Sequence, residues 1–297
     1  MIEYSCDGTL EGILTVLDRI CRSPDPEAML PDRVRGPLRR AWKTRPGEAA
    51  LSDDASPAQP DLFGETPKSS AIGMGPSACL SPPDIPAARH LYGLSVNAYD
   101  HVIHGWMSEL PIEAELIRFA WKVLAPGRNA AGGPGSPEAR EKAEAAAADR
   151  GDPDVRAVLS AAWKVRKELD RLRGLLRFSP GPSGIYLARC TPDHFVLPGL
   201  AGHFTLRFGE APWAILDDRR SLALVRRPGE EARLIAPEAL PQSVAVPGHN
   251  DSGEKDSWED LWRNYHRVIN NENRNNPRLQ RQFMPTRYRK YLPEVRE

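Results

Sequence analysis

The sequence predicts an α+β protein, with a helical amino-terminal half followed by a small antiparallel sheet flanked by helices. Apolar residues recur at three- and four-residue intervals through most of the first half, the period of a helix face. From about residue 175, short β-rich runs alternate with Pro/Gly turns. The two patterns are segregated along the chain, unlike the alternation that builds a parallel βαβ sheet.

Leu10, Ile13, Leu14, Leu17 and Ile20 give residues 9–22 one apolar side, the mark of an amphipathic helix. Residues 45–86 are dense in Pro, Ser, Gly and Asp and read as a flexible linker. That leaves 1–44 as an amino-terminal helical segment. Helices are expected at 87–108 and 112–124, separated at Pro111, with Ile112, Leu116, Phe119 and Val123 as the buried face of the second. A spacer at 126–137 and an alanine-rich helix at 138–149 complete a helical segment over 87–150.

The next segment, 151–236, combines a long basic helix with the sheet. Asp152 or Asp154 caps a helix beginning near Val155. Val155, Val158, Leu159, Ala162, Leu169, Leu172 and Leu176 form its apolar side. At about 100° per residue, Lys164, Lys167 and Arg171 fall on the opposite side. Leu175–Phe178 and Ile185–Cys190 read as a hairpin around Pro180-Gly181-Pro182-Ser183-Gly184. Leu197–Phe208 reads as a helix, and Trp213–Leu216, Ser221–Val225 and Ala232–Ile235 as strands. A second linker spans 237–256.

The last segment, 257–297, holds a helix from Ser257 to Asn271 and an arginine-rich tail. Trp258, Leu261, Trp262, Tyr265, Val268 and Ile269 form the helix's apolar set. Arg263, Arg267 and Arg274 project from nearly the opposite side, within about 40° of one another. Arg278, Arg281, Arg287, Arg289 and Lys290 follow Pro277, interleaved with Phe283, Tyr288 and Tyr291.

Formal net charge is zero, which excludes a uniformly basic nucleic-acid coat. The balance is local, however. Residues 51–150 carry 8 basic and 13 acidic side chains, 155–189 carry 8 and 2, and 263–291 carry 8 and 1. The two basic stretches nominate a nucleic-acid-binding set: Lys164, Lys167, Arg171, Arg263, Arg267, Arg274, Arg278, Arg281, Arg287 and Tyr288. Guanidinium forks suit phosphate oxygens, and aromatic rings between them suit unstacked bases. An acidic protein partner and a solvated, ion-paired surface are the competing readings; Glu259, for example, precedes Arg263 by one helical turn.

The four cysteines, Cys6, Cys21, Cys79 and Cys190, show no metal-ligand spacing and suit a reducing compartment. The first residues lack a basic stretch followed by an apolar run, and no stretch reaches the roughly 18 apolar residues of a membrane span. A cytoplasmic address and no membrane partner are expected.

The polar residues around the sheet offer weak catalytic candidates in Asp193, His194, His203 and Asp217. A histidine with an aspartate is an acid–base pair, and two carboxylates can hold a metal. Asp217-Asp218-Arg219-Arg220 lies between two strands and has turn chemistry. Walker A, GxGxxG, HExxH and GxSxG are all missing, as is a cysteine triplet for an iron–sulfur cluster. No metal and no cofactor is expected.

The ending Glu272-Asn273-Arg274-Asn275-Asn276-Pro277-Arg278-Leu279-Gln280-Arg281-Gln282-Phe283-Met284-Pro285-Thr286-Arg287-Tyr288-Arg289-Lys290-Tyr291-Leu292-Pro293-Glu294 resembles the closing signature of a bacterial family. That family is catalogued under DNA metabolism and DNA repair, and its domain is otherwise of unknown function. Asp7-Gly8-Thr9-Leu10-Glu11-Gly12, Leu175-Leu176-Arg177-Phe178, Pro192-Asp193-His194 and Trp213-Ala214-Ile215-Leu216-Asp217 resemble other pieces of it, in the same order. The resemblance implies pairing with a radical-SAM iron–sulfur protein, and in other members a related domain is fused to a uracil-DNA glycosylase. Where the family tends to show Glu-x-His-Arg, this chain has Glu168-Leu169-Asp170-Arg171, which removes a histidine from the long helix.

The expectation that follows is a DNA repair accessory that binds nucleic acid, a radical-SAM partner, or both. The alternatives are a hydrolase or lyase acting on damaged nucleic acid through a His/Asp site, and a structural adaptor for the partner that never touches DNA.

Overall fold

The computed structural model describes residues 2–35, 82–128, 133, 135–181, 184–236, 264, 265, 267, 268, 276 and 284–292. The segments read as linkers lie outside the described residues, apart from 82–86. The chain divides into two compact units. The described residues up to Glu168, with Asp193–Val196, belong to the first, and the other described residues to the second. Among the described residues, no helix is long and apolar enough to cross a membrane.

The first unit opens on a two-stranded parallel pair, β1 (Glu3–Ser5) and β2 (Arg33–Arg35), which the sequence reading missed. Three-residue strands are too short to show alternation. Between them α1 (Leu10–Arg22) buries Leu10, Ile13, Leu14, Leu17 and Ile20 as its periodicity dictates. The motif Asp7–Gly12 is the entry to this helix. Thr9 is the N-cap, its hydroxyl accepting from Gly12 N–H at 2.9 Å while donating to Asp7 Oδ1 at 2.6 Å. A Cβ on Gly12 would lie 2.3 Å from Asp7 Oδ1, so a side chain there would push the Asp7 carboxylate off its bonds to Thr9. Gly8 has a φ of 77°, and its carbonyl accepts from Trp106 Nε1 at 3.1 Å. The motif therefore builds a helix start.

The helix expected over 87–108 is two: α2 (Pro86–Leu94) and α3 (Val96–Met107). Ser95 makes the break. Its N–H closes α2 on Leu91 O at 2.9 Å, its φ is −150°, and its hydroxyl accepts from Ala98 N–H to cap α3. The next helix, α4 (Glu113–Arg128), buries Leu116, Phe119 and Val123 as expected but runs on through Pro126 into the supposed spacer. Then come α5 (Pro137–Ala148), capped by Ser136, and α6 (Pro153–Leu175). Of the two cap candidates for α6, Asp152 serves. Its Oδ1 accepts from Asp154 and Val155 N–H at 2.8 and 3.2 Å.

Asp154 instead ties α6 to α4. Arg118 donates Nε and Nη2 to its Oδ1 at 2.9 and 2.8 Å, and Lys122 reaches its Oδ2 at 2.7 Å. Burial acts to raise the Asp154 carboxyl, but these two cations outweigh it and hold it below its ordinary value. A depressed carboxyl stabilises the fold above its unfolded pKa and ceases to do so as pH falls through the folded one. Asp154→Asn should cost about 1–3 kcal/mol at neutral pH. The gap from the parent protein should close below the ordinary carboxylate range, as thermal melts from about pH 7 to about pH 2 would show.

The second unit carries a five-stranded sheet in sequential order: β3 (Ser179–Pro180), β4 (Tyr186–Cys190), β5 (Trp213–Asp217), β6 (Leu222–Arg226) and β7 (Arg233–Ile235). The α+β class holds, but the sheet is mixed. β4 and β5 pair in parallel, with Tyr186 opposite Trp213, while the other three pairings are antiparallel. Parallel neighbours need a crossover connection, which α7 (Leu197–Phe208) supplies. All ten residues of β5 and β6 are buried. Alternation directs Ile185, Leu187, Ala214, Leu216, Ala223 and Val225 into one cluster. Trp213 points the other way, against Phe204 of α7, with ring centroids 6.2 Å apart.

The expected strand Leu175–Phe178 is a correction. Leu175 is the last residue of α6, and Leu176 N–H still bonds to Leu172 O at 3.0 Å. Arg177 caps that helix end by donating to Gly174 O at 2.8 Å. Phe178 packs its ring on Phe204 and Phe208, at 5.0 and 4.7 Å. Only Ser179 and Pro180 remain to pair, and proline brings no N–H to extend the ladder.

Candidate nucleic-acid interface

Lys164 and Lys167 are exposed on α6 and Arg171 is partly exposed, as helical phase requires. Among the described residues, no carboxylate forms an ion pair with any of the three. Sequence reasoning missed their neighbour. Trp163 is 59% exposed, with the Lys167 ammonium 4.6 Å from its ring centroid. The signal was available, because residues 163, 167 and 171 follow one another by helical turns. Tryptophan is usually counted with the core, and this one lies outside the apolar repeat that the helix buries.

The second unit adds cations on and beside α7. His203 and Arg207 are exposed. The His203 imidazole is held below its usual range, first by partial burial and then by the guanidinium groups of Arg173 and Arg207. Arg207 and Arg173, the latter also paired with Asp170 at 3.0 Å, are thus close enough to act on His203.

The carboxy-terminal set divides. Arg263, Arg274, Arg278 and Arg281 lie outside the described residues. Arg267 is exposed and donates to Asn264 Oδ1 at 2.6 Å. Tyr265 and Val268, expected on the packed side of that helix, are 53% and 74% exposed. Helical phase groups residues on a face, but it does not say whether anything covers that face.

Tyr288 is a firmer correction, being 2% exposed with Leu292 fully buried nearby in sequence. Its ring is an anchor for the chain end and presents no open face for a base. Arg287 lies over that ring at 4.6 Å and donates to its hydroxyl at 3.1 Å. Tyr291 donates to Asp218 Oδ2 at 2.6 Å, and Arg189 clasps Asp218 from the sheet at 2.8 Å. Burial, then the bond to Asp218, pushes the Tyr291 phenol up. The closing signature, where described, is thus a docking segment of the second unit.

The four catalytic candidates do not form one site within either unit. Asp193 and His194 belong to the first, Asp217 and His203 to the second. The buried Glu168 carboxylate accepts from the backbone N–H groups of Asp193 and His194 at 2.9 and 2.8 Å. His194 Nδ1 accepts from Glu109 N–H at 3.3 Å, so its ring is held by the backbone. Asp217 is 1% exposed and pairs with Arg220 at 2.7 Å. It also accepts from Arg219 and Arg220 N–H at 2.9 and 3.3 Å, an Asp-stabilised turn that leads into Ser221 at a φ of 51°. Burial leaves the Asp217 carboxyl above its ordinary value despite the pull of Arg220. Its lone pairs are committed to structure, whereas His203 is solvent-facing.

One titratable cluster went unread in the sequence. On α3, Asp100 accepts from Arg166 of α6 and lies 3.2 Å from His104 Nδ1. Burial acts to raise the Asp100 carboxyl, but His104 and Arg166 bring it down from 3.8 to about 2. His101 is held low, first by burial and then by Arg166. Among the described residues, no group of three His, Cys, Asp or Glu side chains is placed to hold a metal ion.

The described residues form an α+β protein that carries Lys164, Lys167 and Trp163 exposed on α6. The chain belongs to a domain family of unknown function, DUF4130, whose family model matches residues 138–294. That span takes in α5, α6, the sheet and the docking segment. No curated protein and no solved structure matches the chain.

Proposed function

We propose that this chain binds nucleic acid as an accessory of a DNA repair or modification system, with radical-SAM chemistry residing on a separate iron–sulfur partner. The observation that carries the reading is the unneutralised stripe of Lys164, Lys167 and Arg171 on α6, with an exposed indole beside it. Holding unpaired cations together on a rigid helix is useful when an anion completes them, and phosphate binding gains further from counterion release. Arg207, exposed on α7, adds a cation in the second unit. The DNA context and the class of partner come from the resemblance of the closing signature and the central motifs. The protein would supply grip and position, and the partner the reactive chemistry.

Binding to labelled single- and double-stranded DNA should be titrated at several salt concentrations. Affinity should fall steeply with salt. Joint reversal of Lys164, Lys167 and Arg171 to Glu should flatten the log–log slope by about 2–3, since each phosphate contact contributes about 0.7–0.9. No binding to either nucleic acid at about 50 mM salt, where such contacts are strong, would overturn the reading. Co-purification with a radical-SAM protein in that case would select the adaptor alternative.

A further inference from the structure

We infer that the α6 stripe takes unpaired, single-stranded nucleic acid, with Trp163 as the platform on which one base stacks. The inference rests on the nucleic-acid reading above and narrows its substrate. Phosphate charge alone does not separate duplex from single strand, because both carry it. Trp163 separates them. It keeps 59% of its surface open even with the Lys167 ammonium 4.6 Å from its ring centroid.

An indole exposed to this degree forgoes the burial that normally stabilises a tryptophan. Its flat face is complementary to the face of a base. In a duplex those faces are covered by the neighbouring base pairs, so an indole on a convex helix meets only sugar and phosphate. A single strand can turn a base outward onto the ring. Lys167 occupies one side of the indole, which leaves the other for the base. Lys164 lies about 100° around the helix from Trp163, and Lys167 about 40°. Both lysines therefore lie to the same side of Trp163 around the helix, where their ammonium groups can meet the phosphates next to a stacked base. The arrangement reads stacking without reading base identity, because every base has a π-face.

The test uses the full-length chain with a single-stranded oligonucleotide and a duplex of the same length. Trp163→Ala should weaken single-strand binding by about five- to hundredfold and leave duplex binding unchanged. Trp163→Phe, which keeps an aromatic face, should recover most of the loss. Binding of the single strand should quench indole fluorescence in the parent protein. That signal should be smaller in Trp163→Phe, which removes one of the seven tryptophans.

Equal effects of Trp163→Ala on single strand and duplex, or none on either, would overturn the stacking inference while leaving the nucleic-acid reading intact. Failure of the parent protein to bind either probe removes the broader reading instead. An acidic polypeptide that competes as well as the oligonucleotide, with no dependence on Trp163, would assign the stripe to charge alone and overturn the inference.

Discussion

Replacing Arg220 with alanine is expected to destabilise the sheet-bearing unit by about 3–5 kcal/mol. The Asp217 and Arg220 side chains are 0% and 3% exposed, 2.7 Å apart. Removing the guanidinium strands a carboxylate at the end of the fully buried strand β5. It also removes the donor that reaches Pro192 O at 3.2 Å. Hydrophobic truncation elsewhere in the sheet would open a cavity, whereas this change leaves a charge without compensation. Urea unfolding and amide exchange across β5 and β6 would measure it.

The pH dependence has a definite sign. Burial already holds the Asp217 carboxyl above its ordinary value with Arg220 present. A raised carboxyl favours the folded state when protonated and loses that advantage as pH rises through its folded pKa. The deficit of Arg220→Ala should therefore be largest at neutral pH and shrink on acidification, as Asp217 takes up a proton. A pH-independent deficit would mean that the packing of the arginine stem, not the pairing of charge, is what the substitution removed.

What the sequence disclosed follows the range of the interactions involved. Helix α7 was legible to the residue, and α1 nearly so, because caps and apolar periodicity act within a few positions. The Ser95 break was equally local, yet it hid inside a continuous apolar pattern that runs through both α2 and α3. The parallel pairing of β4 with β5 was not legible, since alternation within a strand says nothing of its neighbour's direction. The exposure of Lys164 and Lys167 was legible from phase alone. That of Trp163 was not, because residue type argued for the core while position argued for the surface. Tyr288 failed in the opposite sense. An aromatic among arginines looked like a stacking platform, but its burial depends on contacts distant in sequence. The motif Asp7–Gly12 could be matched but not understood until the cap geometry explained Asp7, Thr9 and Gly12.

Substituting Glu168 carries the second large expectation, and it bears on what the long helix is for. Where the family that the closing signature resembles tends to show Glu-x-His-Arg on this helix, the chain keeps Glu168 and Arg171 and has Asp170 in place of the histidine. A carboxylate at the head of such a pattern invites a role as a general base. Its surroundings argue otherwise. Glu168 is 3% exposed, and its two oxygens each accept one backbone N–H, from Asp193 and His194. The same short segment is pinned again by Phe195 N–H on Met107 O at 2.9 Å, with the Phe195 ring edge-on to Trp106. Glu168→Ala should leave both N–H groups without these acceptors inside the protein, at a cost of about 2–4 kcal/mol. Glu168→Gln should recover part of this, because an amide offers one accepting oxygen and sets its N–H₂ against the second donor. Amide exchange at Asp193 and His194 should accelerate in the order parent, Gln, Ala, in step with global stability. A general base would behave differently, since the isosteric Gln would leave exchange and stability at parental levels while abolishing any turnover. If Gln matches the parent in exchange, the clamp is not what holds the segment, and the acid–base reading of this helix regains its footing.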